Sequence, residues 1–240
     1  MGKQYWRGGN MLYPVPAVMV SCGRPEERPN IITVAWAGTV CSSPAMVSIS
    51  VRKERYSYDI LKETGEFVIN LITRDLTYAT DFCGVRSGRD VDKFAQMHLT
   101  PLPSQHISAP GIAESPVNLE CKVTQVIPLG SHDMFLAEVL GVTVDEKYMD
   151  ENGKFHLNDA GLVAYSHGEY FELGEKLGKF GYSVAKKQAA KTESVTKSAK
   201  PSGAGKKAAS AENRTASKTE AGNRRKSASK TGSADKQKSR

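Results

Sequence analysis

The sequence predicts a mainly β domain, a β-barrel with a few short helices, followed by a basic tail that has no core. Three observations carry this. Short apolar and β-branched runs recur between turn signals. These runs follow one another through tight connections and do not alternate with long helices, which argues against a doubly wound sheet. The composition also changes abruptly near residue 183.

Residues 17–22 (AVMVSC) read as a strand that ends at Gly23-Arg24-Pro25. Residues 30–40 (NIITVAWAGTV) read as one longer strand, broken by Ser42-Ser43-Pro44, and 46–51 (MVSISV) as an alternating third. The nearly continuous apolar character of the first two suits a barrel interior or a buried interface. Residues 56–65 predict a short helix with Ser57 as N-cap, Asp59 in the first turn and Gly65 at its end. A strand over 66–72 and a second short helix over 76–83 follow, then a Gly/Ser/Arg loop. Residues 98–117, rich in Pro and Ser, are expected to wander along the surface. Two long strands, 118–129 and 134–144, are joined by Gly130-Ser131-His132-Asp133 as a tight hairpin. A final pair, 162–166 and 169–173, flanks His167-Gly168.

From Ala185 onward there is no aromatic residue, Leu, Ile or Met, and Val195 is the one β-branched aliphatic. Such a segment cannot offset a backbone ordering cost of ~1–2 kcal/mol per residue. The expected organisation is a folded domain over 1–183 and a disordered Lys/Ala/Ser-rich tail over 184–240. The charge divides at the same place. The tail holds 16 of the 33 Lys and Arg and 4 of the 26 Asp and Glu, which leaves the body 17 basic and 22 acidic residues. An acidic body speaks against a nucleic-acid groove on the folded part and leaves weak, salt-sensitive contact through the tail as a minor alternative.

None of the four cysteines forms a C-x-x-C pair or sits at ligand spacing from a histidine, so no metal site is expected. The N-terminus lacks an apolar signal region and no apolar run approaches ~18 residues, so the expected location is cytoplasmic, with free, buried thiols and no membrane partner. The dinucleotide Gly-x-Gly-x-x-Gly, the P-loop, the Gly-x-Ser-x-Gly elbow and His-Glu-x-x-His are all absent.

The informative stretch is 30–57. A phosphate needs amide donors at a helix N-terminus, a hydroxyl and a guanidinium, and Arg52-Lys53-Glu54-Arg55-Tyr56-Ser57 supplies all three where a strand meets a helix. An aromatic heterocycle needs a polar edge contact and a flat wall, for which Asn30, Thr33 and Trp36 qualify. The competing reading is a barrel strand with a core tryptophan and a solvated charged turn.

Asn30-Ile31-Ile32-Thr33-Val34-Ala35-Trp36, Cys41-Ser42-Ser43-Pro44, Arg55-Tyr56-Ser57-Tyr58-Asp59-Ile60 and Gly65-Glu66-Phe67-Val68-Ile69-Asn70 follow one another in the order found in flavin reductase-like proteins. The segment Ser87-Gly88-Arg89-Asp90-Val91-Asp92-Lys93-Phe94 resembles their S-G-x-x-x-D-K-F loop. Over about residues 11–173 the chain resembles this family, and within it the flavoredoxin subgroup. The resemblance implies an FMN-binding split barrel that pairs as a homodimer.

It also implies roles. Asn30 and Thr33 would contact the flavin ring or ribityl chain, and Trp36 would pack beside the ring. Cys41, Ser42 and Ser43 would line the phosphate or ribityl side, while Arg55 and Ser57 hold the phosphate. Lys93 would lie close to the flavin, and His132 and Tyr165 would flank it. Ala45 stands where the family often has a second proline, and Ser57 where many members have threonine. Taken as isolated residues, Lys93 reads as solvated and His132 as an exposed turn residue.

The expected activity is an FMN-dependent oxidoreductase, with NAD(P)H delivering hydride to the flavin N5. No protein residue is assigned as catalytic beyond electrostatic tuning by Lys93 or His132. The alternative is an electron carrier between redox protein partners.

Overall fold

A computed structural model describes residues 1–185. In chain order the elements are β1 (Val15–Pro16), β2 (Val18–Cys22), β3 (Asn30–Val34), β4 (Ala37–Ser42), β5 (Ala45–Val51), α1 (Tyr56–Thr64) and β6 (Glu66–Leu71). They continue with α2 (Thr77–Val85), α3 (Lys93–Gln96), β7 (Pro101–Leu102), β8 (Gly111–Ile112), β9 (Val117–Leu129), β10 (His132–Val144), β11 (Val163–Ser166) and β12 (Glu169–Glu172). The mainly β prediction holds. The disorder expected of the tail concerns residues that lie, almost entirely, outside the described ones, as does any nucleic-acid contact through it. No helix among the described residues is long and apolar enough to cross a membrane.

A seven-stranded sheet in the order β3-β2-β6-β9-β10-β5-β4 forms the body. All its neighbours run antiparallel. Its two ends curl toward each other. Ile32 and Val34 of β3 share one buried cluster with Val47, Ile49 and Val51 of β5, and the Ser50 N–H donates to the Trp36 carbonyl at 2.9 Å. The 30–40 run is therefore not one strand. It pairs with β2 as far as Val34, passes through Ala35 and Trp36, and resumes on β5 at the opposite edge. Its apolar composition is continuous, but its hydrogen-bonding partner changes, and periodicity carries no information about partners.

Strands β2 and β3 are buried on both faces. Val18, Val20 and Ile32 point into the barrel, while Met19 and Ile31 join Leu76, Ala79, Phe94 and Ile112 in a second apolar layer outside it. This explains the near-continuous apolar runs. Helix α1 closes the barrel with Tyr58, Ile60 and Leu61 in the inner cluster. The Tyr58 hydroxyl donates to the buried Asp133 carboxylate at 2.5 Å. Gly65 ends the helix as expected, in the left-handed conformation (φ 64°) with its N–H on the Leu61 carbonyl.

Three details depart from expectation. The N-cap of α1 is Arg55, and Ser57 lies inside the helix, buried. His132 and Asp133 belong to β10, because His132 pairs with Leu129 and leaves Gly130-Ser131 as the turn. Residues 98–117 carry the small β7–β8 hairpin and are pinned to the barrel. Asn70, fully buried, donates to the Met19 carbonyl (2.9 Å) and the Ser21 hydroxyl (3.0 Å). Its Oδ1 accepts from Ile112 N–H (2.9 Å) and the Asn118 amide (2.7 Å). Composition reads this segment as surface loop because the partners that bury it are distant in sequence.

Asn70→Ala would strand the Ile112 N–H and the Asn118 amide in the interior. The expected cost is about 3 kcal/mol, read as a lower urea midpoint at unchanged slope. A shift worth less than about 1 kcal/mol would contradict the pinning role.

Candidate functional site

The β5–α1 junction gathers groups suited to an anion. Arg55 is extended and makes no side-chain cap, so the first turn of α1 presents orphan amide donors. A cleft of about 390 Å³ opens there, lined by Asn30, Arg55, Tyr56, Ser57, Gly88 and Lys93 among others. Arg86 and Arg89 also face it, against Glu54 as the one acidic lining residue. Arg55 and Arg86 form no ion pair among the described residues. Arg89 is braced by the Glu54 carbonyl (3.2 Å) and lies over the Tyr56 ring, 5.4 Å from its centroid.

Two polar side chains are set from below. The buried Asn30 amide donates to the Ser57 Oγ at 2.7 Å, which leaves the Ser57 proton free to donate. Lys93 is only 3 % exposed, and its Nζ donates to the Ile31 (2.6 Å) and Cys83 (2.7 Å) carbonyls. An ammonium has three donors, so one remains for a ligand. Burial pushes the Lys93 pKa down to about 8, and repulsion from Arg55 acts in the same direction. The solvated reading of Lys93 is thus wrong. The short helix α3, capped by Asp92, tucks it under β3, a tertiary placement that exposure statistics do not reach.

A second, smaller cleft adjoins the first through Ile32 and Arg55. Thr33, Trp36, Ser50 and His132 line it. Trp36 is backed by Tyr13 at 6.2 Å between ring centroids, and Tyr13 in turn packs on Tyr165 at 6.2 Å. Burial and the nearby Arg52 and Arg55 hold the His132 pKa below its ordinary value. The Thr33 hydroxyl donates to the Thr80 carbonyl, so toward a ligand it serves only as an acceptor.

A family described as the flavin reductase like domain matches residues 10–174. The chain belongs to this family. Its structure is similar to flavoredoxin of Desulfovibrio vulgaris (Miyazaki F), with TM-score 0.71, 33 % identity and coverage of 77 % of this chain and 100 % of that one. It also shares its fold with an FMN-binding protein from Thermus thermophilus, at TM-score 0.62, 23 % identity and coverage of 74 % and 99 %. In sequence it is 31 % identical over 160 residues to an uncharacterized protein of Archaeoglobus fulgidus, covering 67 % of this chain and 88 % of that protein.

The donor set of this flavin reductase-like chain fits a phosphate-bearing flavin. Helix amides, a guanidinium, a hydroxyl and a buried ammonium meet at one end, and a flat indole wall with Thr33, Ser50, His132 and the Arg52 and Arg55 guanidinia at the other. Of the residues singled out from sequence, Asn30, Thr33, Trp36, Arg55, Ser57, Lys93 and His132 line the two clefts. Tyr165 does not; it buttresses Trp36 through Tyr13. Cys41, Ser42 and Ser43 do not either. They sit at the β4–β5 turn, where Cys41 pairs with Met46 and Ser42 and Ser43 are exposed. Their distance from the clefts has the same cause as the split of the 30–40 strand, since β4 carries these residues along the far edge. Cys41 is also half-buried, whereas Cys22, Cys83 and Cys121 are buried as expected, and all four thiols are free.

The sequence reading passed over Gly88, Arg86 and Arg89. The Gly/Ser/Arg loop was the signal available for them. A Cβ on Gly88 would fall 2.0 Å from Asn30 Oδ1 and 2.7 Å from Tyr56 Cδ1, so no side chain is accommodated there.

Gly88→Ala is expected to displace Asn30 from Ser57 and destabilise the fold by about 1–3 kcal/mol in a urea titration. A neutral result would mean that the loop yields instead. Lys93 makes stability depend on pH. Between its folded pKa of about 8 and its ordinary value of 10.5, the unfolded chain holds more protons, so stability rises with pH over that window. The contribution has a slope of up to ~1.4 kcal/mol per pH unit. It should disappear in Lys93→Met, so the difference between the two stability curves from pH 8 to 10 isolates it.

Proposed function

We propose that this chain is an FMN-dependent oxidoreductase that accepts reducing equivalents from NAD(P)H. One observation carries the reading. The α1 N-terminus with Arg55, Ser57 and Lys93 opens directly into the cleft walled by Trp36 and His132. A phosphate and a planar heterocycle joined by a short polar chain match that sequence of environments. FMN, when bound, supplies the two-electron chemistry.

The chain's own residues bind and orient. Arg55 and the first amides of α1 neutralise the phosphate, and Ser57, held by Asn30, donates to it. The remaining Lys93 donor adds positive charge that favours an anionic ligand. His132, whose pKa is held below its ordinary value by burial and the nearby Arg52 and Arg55, offers a hydrogen bond at the ring cleft. Hydride transfer needs no protein acid or base, which agrees with the absence of a triad motif. The nicotinamide would dock on the open flavin face. Pairing as a homodimer is part of the same proposal and rests on the family resemblance.

The likeness to a flavoredoxin favours a second reading, an electron carrier between redox proteins that has no nicotinamide reaction of its own.

Reconstituted protein is expected to bind FMN with quenched flavin fluorescence. The Arg55→Ala/Ser57→Ala double variant should weaken binding by about 1.5–3 kcal/mol, roughly ten- to a hundredfold in Kd. Unchanged affinity would move the phosphate elsewhere. Stopped-flow mixing of the FMN-loaded protein with NADH and NADPH separates the two readings. Bleaching of the flavin band within turnover time supports the reductase, and none supports the carrier.

A further inference from the structure

Among the described residues, Lys93 is the one lysine or arginine that is buried. A buried cation is ordinarily held by a carboxylate, because removing the charge from water is costly without an opposite charge beside it. No carboxylate lies within ion-pair distance of Lys93 Nζ among the described residues. Its two hydrogen bonds go to neutral carbonyls, those of Ile31 on β3 and Cys83 on α2. The third donor has no protein acceptor among these residues, and the side chain lines the 390 Å³ cleft.

The elements packed around it supply little to hold the charge. Arg55, ahead of α1, repels it. The Cys22 thiol on β2 and the Cys83 thiol on α2 are the other titratable groups that act on it. Burial pushes these thiols up to about 12 and about 11, so both stay neutral where Lys93, at about 8, changes charge. On its own helix the nearest carboxylate, Asp92, is engaged as the N-cap and accepts from Ala95 N–H at 3.1 Å. Arg86, Arg89, Tyr56 and Glu54 share the cleft wall. In the free protein, then, the ammonium lacks a counter-charge, and a phosphate in the cleft would supply it.

We propose that Lys93 couples phosphate binding to proton uptake: the cleft holds a phosphorylated ligand tightly only while Lys93 is an ammonium, and the bound phosphate in turn keeps it one. The proton comes from solvent and sits on Nζ, and no bond of the ligand changes. The inference rests on the FMN reading for the ligand and adds a regulation of that site by pH. The sign follows from linkage. Above pH 8 the free protein sheds a proton that the complex retains, so affinity falls as pH rises, by up to about tenfold per unit. A phosphate monoester has its second pKa near ~6 and is a dianion from pH 7 to 9, so the ligand contributes no slope of its own there.

The probes are FMN and riboflavin, which share the ring and differ by the phosphate. Each is titrated into the full chain at pH 7, 8 and 9 and followed by flavin fluorescence. Calorimetry at pH 8.5 in buffers of different ionisation enthalpy counts the protons taken up. FMN is expected to bind about tenfold more weakly at pH 9 than at pH 7, with riboflavin unchanged, and FMN binding to take up about half a proton or more. Lys93→Arg, whose charge is fixed, should abolish the pH dependence, and Lys93→Met should abolish it and weaken FMN at pH 7. If the variants fail to fold, the wild-type comparison and the proton count decide by themselves. A flat FMN affinity would overturn the proposal and leave the FMN reading standing. An equal slope for riboflavin would overturn it by placing Lys93 against the ring, and a slope that survives in both variants would assign it to another group. FMN that fails to bind at every pH would remove the FMN reading and this inference with it.

Discussion

The passage of the chain through Ala35 and Trp36 is the constraint on which the rest depends. It carries the backbone from one edge of the seven-stranded sheet to the other, and the Trp36 carbonyl is tied to Ser50 N–H at 2.9 Å where the edges approach. Without that crossing β3 and β5 would lie at opposite ends of an open sheet. With it, Asn30 and Thr33 from β3, Trp36 from the crossing, and Arg55 and Ser57 from the helix after β5 surround one connected groove. The same crossing sends β4 away along the outer edge, which removes Cys41, Ser42 and Ser43 from the groove.

The groove is graded in charge, and burial sets the grade. At the α1 end, orphan helix amides and arginines without ion pairs among the described residues concentrate positive potential, and Lys93 is held beneath them at the cost of its desolvation. The carbonyls of Ile31 and Cys83 offset part of that cost and leave the ammonium with one donor to spare. Toward Trp36, Arg52 and Arg55 still line the groove beside His132, and beneath the N-terminal arm, residues 9–12, no Lys, Arg, Asp or Glu lines it. The groove thus changes from an arginine-rich end to an indole-walled one.

Much of this was legible locally. The strand runs were placed within a few residues, because the alternation and the turn residues that encode them act over short distances. The Gly65 stop was read correctly for the same reason: a left-handed C-cap is a property of one residue. The donors gathered at the β5–α1 junction were legible because amide, guanidinium and hydroxyl come from three consecutive residues, Arg55, Tyr56 and Ser57. Ser57 was assigned to the wrong local role, cap instead of buried hydroxyl, because its partner Asn30 lies 27 residues away. Lys93 was singled out only through the family resemblance; taken alone it reads as solvated, because nothing adjacent to it in sequence announces the two carbonyls that receive it.

The sequence by itself determined the class of the fold, the family, and the chemistry available at the β5–α1 junction, since each is written in residues that act on near neighbours. Only the tertiary structure decided where the 30–40 run divides, that Gly88 must lack a side chain, that Lys93 is buried, and which of the proposed residues meet. Those outcomes follow from pairing between distant strands and from close packing. Both depend on which segments become neighbours, and no local pattern of residue types carries that information.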